Sequence, residues 1–267
     1  MHDPFGLTNV FKYFLLYLDS MKKFCLLLVC YFGFQMVGFG QNAGWNLNPY
    51  FAEFLSGKPD TVLRAFFYKA DTRKKEVAIT FDDGVIANTP TLVNYLRQNN
   101  IPATFFLIMR LVNAQNLRLF DSSLFELGVH SWKHDDFRNL TEAQKIADMD
   151  SCEQALIRLN ATRRFPYYRP AYGVIDATIA HELAKRNWKG VLWSDESQDW
   201  NGLKGDTLVK HTIHSLNSGS IILFHDIIAV SDLAAICTAI QEKGFRIVPL
   251  SRLMKQKSLF PPRIGSR

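Results

Sequence analysis

The chain has 267 residues, 48% hydrophobic and 21% charged, ordinary for a globular protein with a full core and long enough for one large α/β domain or two small ones. Its formal charge of +6 is mild for that length, and no Lys/Arg run or basic–aromatic interleaving suggests a nucleic-acid surface.

Residues 1–40 read as targeting sequence. Met21-Lys22-Lys23 is a basic start, and Phe24 to Val37 is an apolar run too short for a comfortable membrane span. Gly38-Phe39-Gly40 places small residues where a signal peptidase reads, so cleavage is expected before Gln41. Residues 1–20 fit badly in front of a signal peptide at 21–40, and Met21 is the expected true start. The alternative is an uncleaved N-terminal anchor, the one expected route to a membrane. Cys25 and Cys30 lie inside the apolar run; Cys152 and Cys237 have no CxxC spacing and read as buried small hydrophobes, with pairing open in an oxidising compartment.

Residues 41–71 form an aromatic extension, with Asp60 to Tyr68 a short helix or a strand. From Val77 the pattern becomes regular. A strand at 77–81 precedes a helix at 89–99, and strands follow at 103–108 and 125–129. Thr141 and Gln144 make a capping box that opens a helix to Leu159. Asp176 caps a helix to Arg186, Val191 to Ser194 is a strand, and Asp206 caps a helix to Leu216. Ser220 to Phe224 is a strand, Asp232 to Lys243 a helix closed by Gly244, and Arg246 to Leu250 a last strand. Such alternation predicts a parallel sheet, open or closed into a barrel, in one catalytic domain at about 72–255 with a basic tail at 256–267.

The chemistry-bearing residues recur just after strands, at the face where α/β active sites gather. Asp82 and Asp83 end the first strand; neighbours on a strand point to opposite faces, so they share a site only if the strand ends there, and Gly84 would permit that turn. An Asp-Asp-Gly turn closing an ordinary strand is the plainer alternative. His130 and His134 converge if their segment makes one helical turn, and with one carboxylate they would form an open metal site. Pro170 holds Arg169 extended, suited to gripping a carboxylate bidentately. Asp195 to Trp200 sets acids beside aromatic rings, as sugar binding requires, and His225 ends a buried strand where a general acid–base group is well placed. His181, His211 and His214 read as helix-face residues.

Taken together, Thr80 to Gly84, His130 to His134, Arg169 to Tyr172, Asp195 to Trp200 and Leu223 to His225 correspond in order to five motifs (TFDDG, H-S/T-x-x-H, R-x-P-Y or the closely similar R-P-P-Y, an acidic run ending D-W, and L-x-H). Over residues 75–252 the chain resembles the NodB-type polysaccharide deacetylases, carbohydrate esterase family 4. The resemblance implies a distorted (β/α) barrel of the NodB-homology type. It implies that Asp83, His130 and His134 bind a divalent metal, usually zinc. Asp82 would be the base toward a metal-activated water, His225 the acid, Arg169 the orienting partner of Asp82, and Asp199 the group that tunes His225. The Tyr172 N–H would help hold the oxyanion, and Trp200 and Leu223 would line the acetyl pocket. Ala171 stands where many members have proline, Glu196 stands where a common form has aspartate, and the proline that often follows the first motif is missing. The expected function is an exported (periplasmic, cell-envelope or secreted) N-deacetylase of an N-acetylglucosamine-containing polysaccharide such as peptidoglycan or a chitin-like polymer, with a monomer expected and no nucleic-acid partner. O-deacetylation of a glycan, metal-independent amide hydrolysis on the same barrel and an inactive carbohydrate-binding protein are the alternatives.

Overall fold

The structure, a computed structural model, describes residues 58–259. The targeting segment, most of the extension and the end of the basic tail lie outside them. Among the described residues no helix is long and apolar enough to cross a membrane.

A short helix α1 (Asp60–Leu63) leads into β1 (Phe66–Phe67), so the stretch left open between helix and strand contains both. The sheet continues with β3 (Glu76–Gly84), β4 (Ala103–Leu107), β5 (Phe125–Val129), β6 (Tyr167–Tyr168), β7 (Lys189–Val191), β8 (Asp195–Glu196) and β9 (Ile221–His225). Their order across the sheet is β1-β7-β6-β5-β4-β3-β9-β8, all parallel, with β10 (Arg246–Ile247) beside the start of β3. A separate antiparallel pair joins β2 (Lys69–Ala70) to β11 (Ser258–Leu259).

The helices between strands are α2 (Thr89–Gln98), α3 (Glu142–Arg158), α4 (Ala177–Lys185), α5 (Gly205–His214) and α6 (Val230–Glu242), followed by a short α7 (Leu250–Leu253). Thr141 and Gln144 form the expected capping box on α3, Asp176 caps α4 through the Ile179 N–H, and Gly244 closes α6 at φ 78°.

The short strands β2, β6 and β11 are not among the expected elements, and three expected elements differ. The apolar run at 191–194 is not one strand. The chain leaves β7 near one edge of the sheet, crosses at Leu192–Ser194, and joins β9 at the other edge as β8. Val191 to Asp195 spans at most about 14 Å, so the two edges stand that close. The sheet is therefore curled into a distorted half-barrel, which the parallel pattern alone did not decide. The last strand stops at Ile247 because Pro249, lacking an N–H, leaves the sheet and opens α7. Asp206 does not cap α5: Lys204 holds that position, Asp206 sits in the first turn, and Asp232 of α6 accepts from the Gly205 N–H at 3.2 Å.

Within the sheet, Phe81 stacks on Phe105 at 5.1 Å and on Phe224 at 5.6 Å, along one face of three adjacent strands. Thr80 and Asp82 point to the opposite face, the interior of the curl. Cys152 and Cys237 are free and buried, as a hydrophobic reading of them requires.

Candidate active site

Parallel register brings the site residues to one end of the sheet. Asp82 of β3 pairs with His225 of β9, and β5 and β6 deliver His130 and Arg169 just past their last residues. Asp82 is 2% exposed.

Asp83 joins Asp82 through an irregularity in the strand. The β3–β4 register shifts between Asp82 and Gly84, and Asp83 itself takes the left-handed conformation at φ 71°. The turn expected at Gly84 therefore falls one residue earlier. Gly84 is required for space: a Cβ there would lie 2.8 Å from Asp226 Oδ2 and 2.9 Å from Leu107 Cδ2.

His130 and His134 do not share a helical turn. They lie on a loop in which Ser131 (φ 62°) and His134 (φ 64°) are left-handed. The rings still converge, with centroids 4.9 Å apart. Asp83 Oδ1 lies 3.5 Å from His130 Nε2 and 3.3 Å from His134 Nε2, and this buried oxygen has no hydrogen-bond partner. His130 Nδ1 lies 2.8 Å from the Arg169 carbonyl, which can only accept, so the proton sits on Nδ1 and Nε2 presents a lone pair. Burial, joined by the neighbouring His134, pushes the His130 pKa down to about 3, so the ring is neutral. The donor atoms of Asp83, His130 and His134 all lie within 4.8 Å of one another. One orphaned carboxylate oxygen facing two imidazole nitrogens fits a divalent cation.

Arg169 is fully buried. It does not grip a carboxylate with two bonds. Its Nη1 donates to Asp82 Oδ1 at 2.7 Å and to Thr80 Oγ1 at 2.9 Å, while Nε and Nη2 donate to the Val191 and Leu192 carbonyls. Its guanidinium carbon lies 4.0 Å from the Phe106 ring centroid. The fork is spent on holding the crossing segment as well as the acid, which leaves one bond for Asp82. Thr80, inside the first motif but without an expected role, is a site residue; its place two residues before Asp82 on a strand, facing the same way, is the sequence signal for it. Burial pushes the Asp82 carboxyl above its usual range, and the charge and hydrogen bond of Arg169 oppose that shift.

His225 meets Asp199 twice: its Nδ1 lies 2.9 Å from Asp199 Oδ1, and its backbone N–H donates to Oδ2 at 2.7 Å. Burial would lower the His225 pKa, but the Asp199 hydrogen bond and charge, with Asp82 and Asp83, raise it to about 9. The ring is an imidazolium at neutral pH.

Around this centre, Leu223 is buried one strand level below His225, and Tyr172 and Trp200 are 53% and 46% exposed at the rim. Tyr172 is left-handed at φ 57°, its ring 4.8 Å from that of His134, and Trp200 Nε1 donates to Glu196 Oε1 at 2.9 Å. Two further buried acids border the site without belonging to any motif singled out above. Asp226 accepts from Thr89 Oγ1 at the start of α2, and Asp148 accepts from the Trp132 N–H at 2.9 Å.

Fold and site together define a class: a curled parallel sheet that gathers an Asp-His-His donor set, an arginine-held carboxylate and an acid-backed histidine at its carboxyl edge. The family model for polysaccharide deacetylase matches residues 69–191. The solved family 4 carbohydrate esterase from Streptomyces lividans is 30% identical with a TM-score of 0.60, covering 70% of this chain and 98% of that one. The Bc1960 peptidoglycan N-acetylglucosamine deacetylase structure is 29% identical with a TM-score of 0.64, covering 73% and 94%. Among curated relatives, a peptidoglycan-N-acetylglucosamine deacetylase of Bacillus cereus is 29% identical over 202 residues, 72% of each chain. A bifunctional xylanase/xylan deacetylase of Cellvibrio japonicus is 35% identical over 174 residues; the match spans about a quarter (26%) of that protein's length. The chain belongs to the polysaccharide deacetylases of the NodB type, carbohydrate esterase family 4.

Proposed function

We propose that the protein is an exported hydrolase that removes N-acetyl groups from a polysaccharide containing N-acetylglucosamine, such as peptidoglycan or a chitin-like polymer. The observation that carries this reading is the pairing of Asp82 with His225 across β3 and β9, one beside the cation donors and the other backed by Asp199. Export rests on the signal-like residues 21–40, and the glycan on the names of the relatives.

Asp83, His130 and His134 would hold the metal, and two imidazoles with one carboxylate suit zinc. A divalent cation held there would supply polarisation of the acetyl carbonyl and a lowered pKa for its bound water. The chain's own residues do the rest. Arg169 occupies Oδ1 of Asp82, leaving Oδ2, which faces His130 Nε2 at 3.5 Å, to take the proton of the attacking water. The Tyr172 N–H stabilises the developing oxyanion. Because Nδ1 of His225 donates to Asp199, its Nε2 carries the proton delivered to the departing nitrogen. The C–N bond breaks as that nitrogen is protonated, the water oxygen stays on the acetyl carbon, and acetate and a free amine leave. Leu223 below and Trp200 at the rim enclose the acetyl methyl.

The test is acetate release by the full chain from N-acetylglucosamine oligomers, with and without a chelator and with Asp82→Asn as the blank. Release that the chelator removes and the blank lacks supports the reading. Release from acetylated xylan and none from the oligomers would move the substrate to an O-acetylated glycan.

A further inference from the structure

The loop carrying His130 and His134 has to hold two left-handed residues while placing two cation donors. Backbone of that kind persists only where its surroundings determine it. Its carbonyls are engaged from one side: the Met109 N–H donates to Ser131 O at 3.0 Å and the Arg110 N–H to Trp132 O at 3.3 Å. Its N–H groups are engaged by side chains. The His134 N–H donates to Ser131 Oγ at 2.9 Å, the Trp132 N–H donates to Asp148 Oδ1 at 2.9 Å, and the Lys133 N–H also bears on the Asp148 carboxylate. Asp148 is 8% exposed on the inner face of α3, a helix that supplies no motif residue. Successive N–H groups in a turn form a concave anion site. Here the protein fills that site with its own carboxylate, on the N–H groups of Trp132 and Lys133, the residues that link the two histidines along the chain.

We propose that Asp148 is a positioning residue that sets the affinity of the cation site by holding the His130–His134 turn in its ligating shape. The inference rests on the metal reading above and extends it beyond the three donors. Partners that orient ligands in this way typically change metal affinity by about 10–100-fold when replaced. An asparagine at 148 keeps one acceptor and loses the charge; an alanine loses both.

The experiment measures Zn²⁺ affinity of the metal-free full chain by competition with a chromophoric chelator, alongside the thermal midpoint of each variant. Asp148→Asn is expected to weaken Zn²⁺ binding about tenfold and Asp148→Ala further, toward a hundredfold. Leu156→Ala, which empties a buried position on the same helix, serves as the control: it lowers the thermal midpoint and leaves the affinity unchanged. If Asp148→Ala fails to fold, the asparagine variant decides. An asparagine variant within threefold of the wild type overturns the inference, as does a Leu156→Ala variant that weakens binding equally. A wild-type chain that binds no Zn²⁺ overturns the metal reading and this inference with it, whereas equal affinities overturn the inference alone.

Discussion

Asp82 and His225 stand side by side because parallel pairing of β3 with β9 puts them there, each on ordinary extended backbone. Asp83, His130 and His134 meet only because Asp83, Ser131 and His134 adopt left-handed backbone, which costs roughly 1–2 kcal/mol per residue for most side chains. The proton-handling half is thus a product of sheet register and is as rigid as the sheet. The cation-holding half is a product of irregular backbone, a break in β3 at Asp83 and the loop after β5, and the loop's geometry is borrowed from what surrounds it: the Ser131 hydroxyl, the turn after β4, and Asp148. Damage to the first half should appear in the chemical step. Damage to the second should appear first in cation affinity.

The largest effect is expected from Asp82→Asn. Removing the base should lower kcat/KM by roughly 10²–10⁴-fold and leave Zn²⁺ affinity within a few-fold, measured by acetate release and chelator competition. A variant that loses the cation as well would mean that the two halves are not separable. Next is Arg169→Leu, which leaves the buried Asp82 without its cationic partner. Breaking such a pair from one side typically costs about 3–5 kcal/mol, to be read from urea unfolding of the metal-free protein. A loss under about 1 kcal/mol would show that Asp82 is neutral in the folded chain.

A smaller, pH-dependent effect is expected from Asp199→Asn. The active form of His225 is protonated, so activity is present below its pKa and lost as pH rises through it. With Asp199 in place that limb is expected near pH 9. Without the Asp199 charge, burial is less opposed and the limb moves to lower pH. A shift of one to two units would reduce kcat/KM at pH 9 by about five- to fiftyfold, and the pH profile of kcat/KM measures it. A limb that stays near pH 9 would assign the raised pKa to Asp82 and Asp83.

What the sequence disclosed follows the same division. Asp82 and His225 could be read from strand ends, because each lies on or beside a short apolar run whose direction periodicity reveals. Ordered motifs bring His130, His134 and Asp83 into the same set, but motif order does not carry their geometry: a left-handed loop joins the histidines where spacing suggests a helical turn, and the chain turns at Asp83 where glycine suggests Gly84. The left-handed residues that produce the site are an aspartate, a serine and a histidine; aspartate and histidine are enriched in that conformation but still rare in it, so local patterning does not mark which of them adopt it. Arg169 was recognised from Pro170, yet its extra partners are carbonyls of the chain crossing at 191–192, a contact visible only once the sheet has curled. Asp148 and Asp226 act through backbone and hydroxyl groups distant in sequence, and nothing adjacent to them marks that role.

The smallest effect tests whether the cation-holding half is held locally. Gly244 is left-handed at φ 78°, like the three site residues, but it closes α6, and a Cβ there would meet nothing nearer than Lys75 Nζ at 3.4 Å. Gly244→Ala therefore adds left-handed strain with little crowding, about 1 kcal/mol, which in a domain of this size lowers the thermal midpoint by about 2–4 °C. Zn²⁺ affinity should not change, because α6 contributes no donor and no bond to the His130–His134 loop. Strain of the same kind at Ser131 or His134 would be felt by the donors directly. If Gly244→Ala weakens Zn²⁺ binding in proportion to its loss of stability, the site responds to the global equilibrium, and the contrast between a register-built half and a loop-built half has no consequence for function.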